Sequence, residues 1–394
     1  MKDRIKTLLL YANGPSHWKP IAADTILRGV LRQGDGDVRP SNLVRKWFAA
    51  QASRQRFQSL SYMQDWQDAF CASPELNVEI CNTINLVEYA SSRRKIREYP
   101  LVVVLHSAAG DDLSVLRRTE GWFKDRRGTL LVFLGNEYDL MPDKIKFLQA
   151  TGADYVASQL PLDAGTWLYA PADGTQVLAA PHALNPHAYY PDLSSRRPID
   201  IGFVGNIYPY FIGDSERTRM IQFFQAGGAA LGLSCDIRTQ RMPRSDWAKF
   251  LNGCKGIIGA ESGTYYLERT DQTKKSVQTY LEAHPRASFD DVYQRFFRDY
   301  PNPVSGKAIS SRHFEPIGTQ TCQILLEGRY NDILVGDEHY LSLKKDFSNI
   351  EDVVERFKDE QYRVAMVRRT HEFALSAHTY QHRVRSLVST IFAT

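Results

Sequence analysis

A carboxylate that opens a short helix just ahead of an apolar strand can accept both hydroxyls of a ribose. A guanidinium one turn earlier can offer a fork of donors to a diphosphate. Residues 309–328 carry both groups: Arg312-His313-Phe314-Glu315 stands before the apolar run Thr321–Leu326. A second phosphate candidate is the turn Gly205-Asn206, followed by Gly213-Asp214-Ser215-Glu216-Arg217, where a capped helix start offers free N–H groups and the positive end of its dipole. Arg217 would add charge there, and Arg241, just after the next strand, lies where a nucleobase could be held. These five residues, Gly205, Arg217, Arg241, Arg312 and Glu315, are the expected nucleotide-binding set.

Three further strand ends could carry catalysis. Leu105-His106-Ser107 ends an apolar strand with a histidine able to act as a general base or to hydrogen-bond a sugar. Gly135-Asn136-Glu137 ends the next strand with a carboxylate, and Gly259-Ala260-Glu261-Ser262-Gly263 ends another with an acidic, glycine-flanked loop. His106, Glu137 and Glu261 are therefore the catalytic candidates. Plainer readings exist for each: Glu315 can simply face a helix dipole, Arg217 can be a solvated helix residue, His313 can be packed beside Phe314, and the strand-end turns can be satisfied by their own backbone.

Metal chemistry is not expected. Asp35-Gly36-Asp37 matches D-x-D but lies in a polar, glycine-containing stretch with no strand before it, so it reads as a turn. The cysteines (Cys71, Cys81, Cys235, Cys254, Cys322) are odd in number and never spaced C-x-x-C, which speaks for reduced thiols and against a zinc site. No Walker A, zincin or G-x-S-x-G motif occurs.

The elements that must position these residues alternate. At 394 residues the chain needs two cores, and 43% hydrophobic with 24% charged residues is globular composition. Strands are expected at Ile5–Tyr11, Val78–Asn82, Leu101–His106, Thr129–Leu134, Asp154–Ser158 and Gln176–Ala180, with helices near Leu43–Gln51 and Tyr62–Cys71. A Pro-rich, polar stretch over 181–198 reads as an interdomain linker. A second series follows: strands Asp200–Val204, Ser234–Arg238, Gly256–Ala260, Thr321–Leu326 and Tyr340–Leu343, with helices at Ser215–Gln225, Ser245–Asn252 and Arg312–Ile317. The expected layout is an acceptor-side domain over 1–190, a nucleotide-sugar domain over 191–375, and a helix over 376–394 that crosses back.

The R-x-F-E segment at Arg312–Glu315 resembles that of glycosyltransferases related to the spore maturation protein CgeB. More distantly it is similar to the second Glu of the E-x7-E signature of retaining GT-B transferases. His339–Ile350, the linker Pro181–Pro186 with Tyr190-Pro191, and the strand and turn Asp200–Asn206 resemble their counterparts in the same enzymes. The likeness covers roughly residues 181–360. It implies an α/β chain of GT-B fold, with two doubly wound Rossmann-like domains facing a cleft. It also implies transfer from a nucleoside diphosphate sugar to a glycan, lipid-linked or protein acceptor, as in polysaccharide biosynthesis, with no metal and no cofactor beyond that donor. Lys307 stands where E-x7-E has its first Glu, and Gln320 where a Gly is usual, so the stereochemical outcome stays open. A GT-B sugar-nucleotide epimerase and a non-catalytic two-lobed sugar-binding protein remain as alternatives. The net charge of +4 is spread over both halves, which suggests no nucleic-acid partner. Small clusters such as Ser91–Lys95 and Lys124–Arg127 would allow peripheral contact with a membrane. With no signal-like or membrane-spanning run, a cytoplasmic location is expected, at the inner face of the membrane if that contact is made; oligomeric state is not legible.

Overall fold

The computed structural model describes residues 3–15 and 61–392 except 110–112, 114 and 241, together with 22–23, 25–26, 43–44, 47 and 56–57. The helix expected at Leu43–Gln51, the D-x-D at Asp35–Asp37 and Arg241 lie largely or wholly outside the described residues.

Six parallel strands form the first sheet: β1 (Ile5–Tyr11), β2 (Leu76–Asn82), β3 (Leu101–Val104), β4 (Thr129–Phe133), β5 (Tyr155–Ser158) and β6 (Gln176–Ala179), in the order β2-β1-β3-β4-β5-β6. The second has five: β7 (Ile199–Val204), β8 (Cys235–Arg238), β9 (Cys254–Gly259), β10 (Cys322–Leu326) and β11 (Leu341–Leu343), in the order β8-β7-β9-β10-β11. In both sheets the strand order reverses beside the first strand, and the crevice at the carboxyl ends of the strands flanking such a reversal is where doubly wound folds hold ligands. Strand ends agree with the expected spans to within one or two residues. His106 leaves its strand and instead opens the short helix His106–Ala109.

The central strands of the first sheet, β3 and β4, read as unbroken apolar runs because both faces are covered. Leu8, Leu10, Val102, Val104, Leu130 and Val132 point into one core, while Leu9, Leu101, Val103, Leu131 and Phe133 point into the other. Helix α1 (Ser61–Ala72) covers the second face with Trp66 and Phe70, joined there by Tyr380, Val384, Leu387 and Val388 of α10 (Tyr380–Phe392). The spacings within that α10 set, four, three and one, make a helical stripe. The second sheet is covered by α4 (Glu216–Gly227) on one side and α5 (Arg244–Asn252) on the other.

One feature differs from expectation and a second could not be read from the sequence. The stretch over 181–198, read as a polar linker, buries Ala183 in the first core and Leu184 and Tyr189 in the second. It is also tied to the returning chain, because Leu184 N donates to His378 O (2.9 Å) and Tyr380 N to Leu184 O (3.0 Å). The insertion after β9 folds as α6 (Gln272–Ala283) and α7 (Phe289–Phe296) around a small core of Tyr266, Val277, Val292 and Phe297. Its flanks lean on the first domain: Leu267 is buried in that core, Met141 N donates to Asp271 Oδ1 (3.0 Å), and Arg269 Nε donates to Trp167 O (3.0 Å).

Because Leu387 is 4% exposed against the first sheet, Leu387→Ala should destabilise the protein by about 2–5 kcal/mol through lost transfer energy and a cavity. Urea unfolding with an unchanged midpoint would show that α10 is peripheral to the core.

Candidate active site

Between the carboxyl ends of the two sheets lies a cleft of about 880 Å³, walled by residues of both domains. The second-domain wall is built from the strand end upward. A side chain on Gly205, directly after β7, would meet Arg217 Nη2 at 2.5 Å, so glycine lets the guanidinium lie against the backbone. Arg217, in the first turn of α4, rests on the rings of Tyr208 (4.4 Å) and Phe203 (5.3 Å). Facing it is Arg312 of α8 (Ser311–Gly318), stacked on the Trp247 indole of α5 at 4.3 Å. Arg217 Nε and Arg312 Nη1 are both buried with no hydrogen-bond partner among the described residues. Leaving a buried charged donor unanswered costs more than the 1–3 kcal/mol typical of a neutral group. A recess of about 30 Å³, near the size of one water, runs between the two arginines to His313.

Glu315 is 1% exposed and does not reach the cleft surface. Its Oε2 accepts from Trp247 Nε1 (2.6 Å) and lies 3.8 Å from Arg312 Nε. The carboxylate expected on a ribose thus sits behind the indole and guanidinium that form the wall. The helix start expected to receive a phosphate is also occupied. Asp214 Oδ1 accepts from Glu216 N (3.1 Å), and Lys307 Nζ pairs with Asp214 and Glu216. Burial pulls the Lys307 ammonium down, but Asp214 and Glu216 outweigh it and hold it above the usual lysine value. Lys307, standing where the E-x7-E signature has a carboxylate, is therefore the centre of an ion-pair knot beneath the cleft.

His313 Nδ1 accepts from Ser310 N (2.9 Å) and its Nε2 donates to Ala260 O (3.1 Å), so the ring is neutral and clips the start of α8 to the end of β9. Burial pushes it down to about 4. Glu261 turns away from the cleft: its Oε1 accepts from Tyr330 N (2.7 Å), in a turn where Tyr330, Asn331 and Asp332 all have positive φ.

In the first domain the expected cleft-facing His106 is instead behind the wall. It is 1% exposed and packed among Tyr62, Trp66, Phe133 and His182, and its Nε2 meets Gln159 Nε2 at 2.7 Å. Gln159 Oε1 accepts in turn from His182 Nε2 (3.0 Å), whose Nδ1 meets the Tyr380 hydroxyl at 3.2 Å. Burial holds both rings neutral, His106 well below the usual value and His182 at about 3. Glu137 does line the cleft, but its carboxylate is committed. Oε1 accepts from Ser158 Oγ (2.7 Å) and the Tyr169 hydroxyl (2.9 Å), and Oε2 from Gln159 N (3.0 Å). Burial raises it above the ordinary value, against the pull of those bonds.

The structure therefore brings Gly205, Arg217, Arg312 and Glu137 to one cavity, and places Glu315, Glu261 and His106 behind its walls. It also adds residues the sequence did not single out. Arg244 bridges the domains to Asp65 and Asp68, the latter at 3.0 Å, while Asn185 Nδ2 donates to Asp65 Oδ1 (2.9 Å). No spacing marks Trp247 or Gln159 as part of a ligand site, and His182 was visible only as part of a Pro-rich stretch.

No protein-family model matches the chain, and no curated protein matches it. Among solved structures, the DNA-modifying enzyme β-glucosyltransferase superposes with a TM-score of 0.51 at 10% identity, covering 99% of this chain and 100% of that one. That likeness shows the GT-B fold, two Rossmann-like sheets facing a cleft. Sucrose-phosphate synthase from Thermosynechococcus elongatus (TM-score 0.48, 12% identity) and Anabaena HepE in complex with UDP-glucose (0.48, 10%) also match, each over 99% of this chain and 100% of the other. No helix among the described residues is long and apolar enough to cross a membrane.

A neutral buried histidine binds a proton less readily than the unfolded chain does. Its stabilising effect is complete above pH 6.5 and is lost as pH falls toward the folded value. For His313 that window runs from 6.5 down to about 4. The stability difference between wild type and His313→Gln should therefore shrink by about 1.4 kcal/mol per pH unit across it. Parallel urea titrations at pH 7 and pH 5 that keep the difference constant would place the ring in water.

Proposed function

We propose that the protein is a glycosyltransferase that moves a sugar from a nucleoside diphosphate sugar to an acceptor hydroxyl. The observation that carries this reading is the pair of buried, unanswered guanidinium donors, Arg217 Nε and Arg312 Nη1, set on aromatic rings at one end of a cleft between the domains. A diphosphate supplies the acceptor oxygens that these donors lack. Glycine at 205 lets such a ligand approach the backbone beside Arg217.

In this reading the acceptor enters along the first-domain wall and its hydroxyl attacks the anomeric carbon. The bond from that carbon to the diphosphate breaks as the new glycosidic bond forms, and the proton of the acceptor hydroxyl passes to the departing diphosphate or to solvent. Negative charge then builds on the departing diphosphate, where each well-placed donor is worth roughly 3–4 kcal/mol. Two guanidinium groups at the leaving oxygens take the part that a cation plays elsewhere, so turnover should persist in excess chelator. Glu315 acts here as a positioning residue. It holds Trp247 Nε1 and lies beside Arg312 Nε, which keeps the guanidinium flat on the indole and its free edge toward the cleft. Glu137 likewise ties the loop after β4 to the end of β5, Glu261 holds the turn at Tyr330, and His106 the amide of Gln159.

Arg217→Ala and Arg312→Ala should each weaken nucleoside diphosphate binding roughly tenfold to hundredfold, the scale of one charge-assisted hydrogen bond of about 1.5–3 kcal/mol. Binding of the bare nucleoside should change far less. Glu315→Gln should cost several-fold in diphosphate affinity and little for the nucleoside, because an amide can still accept from Trp247 but no longer attracts Arg312. Calorimetric titrations showing equal losses for nucleoside and diphosphate would remove the arginines from the diphosphate site.

A further inference from the structure

The two basic clusters of the first domain, Ser91–Lys95 and Lys124–Arg127, are far apart in the sequence and adjacent in space. The short helices Leu86–Ser91 and Arg93–Glu98 run on from one another through Ser92, which keeps right-handed helical angles. Tyr89, Ser92 and Ile96 are buried at helical spacing, and the opposite stripe faces outward: Leu86 and Val87, then Ala90, Arg94 and Arg97. The helix Gly121–Lys124 packs against this pair. Tyr89 and Trp122 lie 5.1 Å apart between ring centroids, the Arg93 guanidinium covers the Trp122 ring at 5.8 Å, and Arg127 N donates to Arg97 O (3.0 Å). The turn Leu116–Thr119 joins the same face, because the Tyr89 hydroxyl meets Thr119 Oγ1 at 2.6 Å. Arg97, Arg118, Lys124 and Arg127 are exposed there, and no carboxylate among the described residues pairs with them. Arg94 and Arg117 have only solvent-exposed partners, Glu98 (3.0 Å) and Asp143 (3.2 Å), and such pairs neutralise weakly. Residues 86–128 hold nine lysines and arginines against six carboxylates, Asp111 and Asp112 included, a surplus of three in a chain whose whole surplus is four.

We propose that this face docks on an anionic lipid bilayer. Cations gathered without partners repel one another, and a negatively charged surface relieves that repulsion. Two observations select a bilayer over a nucleic acid. The cationic stripe runs on into apolar side chains, since Leu86 is 43% and Val87 57% exposed. The headgroup and acyl boundary accepts both kinds of residue, whereas a phosphodiester backbone has contacts for the arginines alone. Trp122, half-buried beneath Arg93, adds the amphipathic ring that suits a membrane–water boundary. The face also adjoins the cleft. Four residues before Leu86, Asn82 Nδ2 donates to Asn13 O (2.9 Å) and Asn13 N donates to Asn82 Oδ1 (3.3 Å), and Asn13 lines the cavity. A docked bilayer therefore lies beside the first-domain wall, where a substrate carried by the membrane would enter. This docking goes beyond the donor reading and stands without it.

The test floats the full chain with vesicles of phosphatidylcholine alone and with vesicles in which about a third of the lipid is phosphatidylglycerol, at about 0.1 M and 1 M salt. The chain should float with the anionic vesicles at low salt, and stay in solution with the neutral ones and at high salt. Each cation near such a surface is worth roughly fivefold in affinity, so changing Arg97, Arg118, Lys124 and Arg127 together to Gln should weaken binding at least a hundredfold. Leu86→Gln with Val87→Gln should weaken it several-fold and leave its salt dependence in place. Urea midpoints close to wild type are expected for both variants, because all six side chains are exposed. Equal flotation with neutral and anionic vesicles would overturn the proposal. So would undiminished binding by the fourfold variant, which would place the contact elsewhere on the chain. Duplex DNA bound at least as tightly as the anionic vesicles, and unaffected by the Leu86 and Val87 changes, would reassign the face to nucleic acid. None of these outcomes touches the donor reading, which calorimetry with nucleoside diphosphates decides separately.

Discussion

A carboxylate sealed inside a protein must be answered by donors, or the fold carries a penalty of several kcal/mol. Glu315 is answered by an indole N–H at 2.6 Å and approached by a guanidinium at 3.8 Å. Those two contacts set the second wall of the cleft. Trp247 cannot turn without abandoning its partner, Arg312 lies flat on Trp247, and the edge of Arg312 left over faces the cavity. The sequence pattern that suggested a ligand-touching Glu is thus satisfied one layer deeper, with the guanidinium in front of it presenting the charge. The same logic recurs below at Lys307, whose ammonium lies between Asp214 and Glu216 and fixes the start of α4 from which Arg217 projects.

The first wall is organised by an amide in place of a charge. Gln159 touches His106 through its nitrogen and His182 through its oxygen, while its backbone N–H answers Glu137 and its carbonyl accepts from Asn331 Nδ2 across the cleft (3.0 Å). One residue therefore couples the strand ends β3, β4 and β5 to the facing domain. Histidines held neutral by burial suit this arrangement, because a charged ring would disturb the proton order along the chain and carry a desolvation cost. With Arg244 reaching Asp65, and Leu267 of the insertion over 264–306 buried in the first-domain core, the distance between the walls is set by packing at both ends of the cleft.

The architecture was legible because parallel strands buried on both faces leave continuous apolar runs, such as Leu101–Val104 and Leu130–Phe133. Arg312, Arg217 and Gly205 were legible for a related reason: a residue at the carboxyl end of such a strand, or at the helix start that follows, has few places to point except the crevice. Depth was not legible. Nothing local distinguishes Glu315, one turn into α8 and covered by a tryptophan 68 residues away, from a carboxylate on the cleft floor. His106 lies at the carboxyl edge of the sheet, just past its strand, yet its outlook is closed by Tyr62 and His182, whose approach depends on how α1 and the linker pack. Trp247 in an amphipathic helix reads as core from its spacing, which it also is. The insertion was opaque because its anchors, Leu267 and Asp271, are meaningful only against the partner domain.

The position of α10 has a consequence for how the chain becomes a protein. Tyr380, Val384, Leu387 and Val388 complete a core whose other members begin at Leu9, and the entire second sheet lies between them in the sequence. During synthesis the first sheet can assemble early but keeps one apolar face open, while β7 to β11 and their helices emerge and are free to close their own core. Order of emergence and order of completion are therefore inverted: the domain translated first is sealed last. Until that sealing, Trp66 and Phe70 lean on Phe133 but lack the cover that α10 supplies, and this is the interval in which a holdase chaperone would have its strongest grip on the nascent chain.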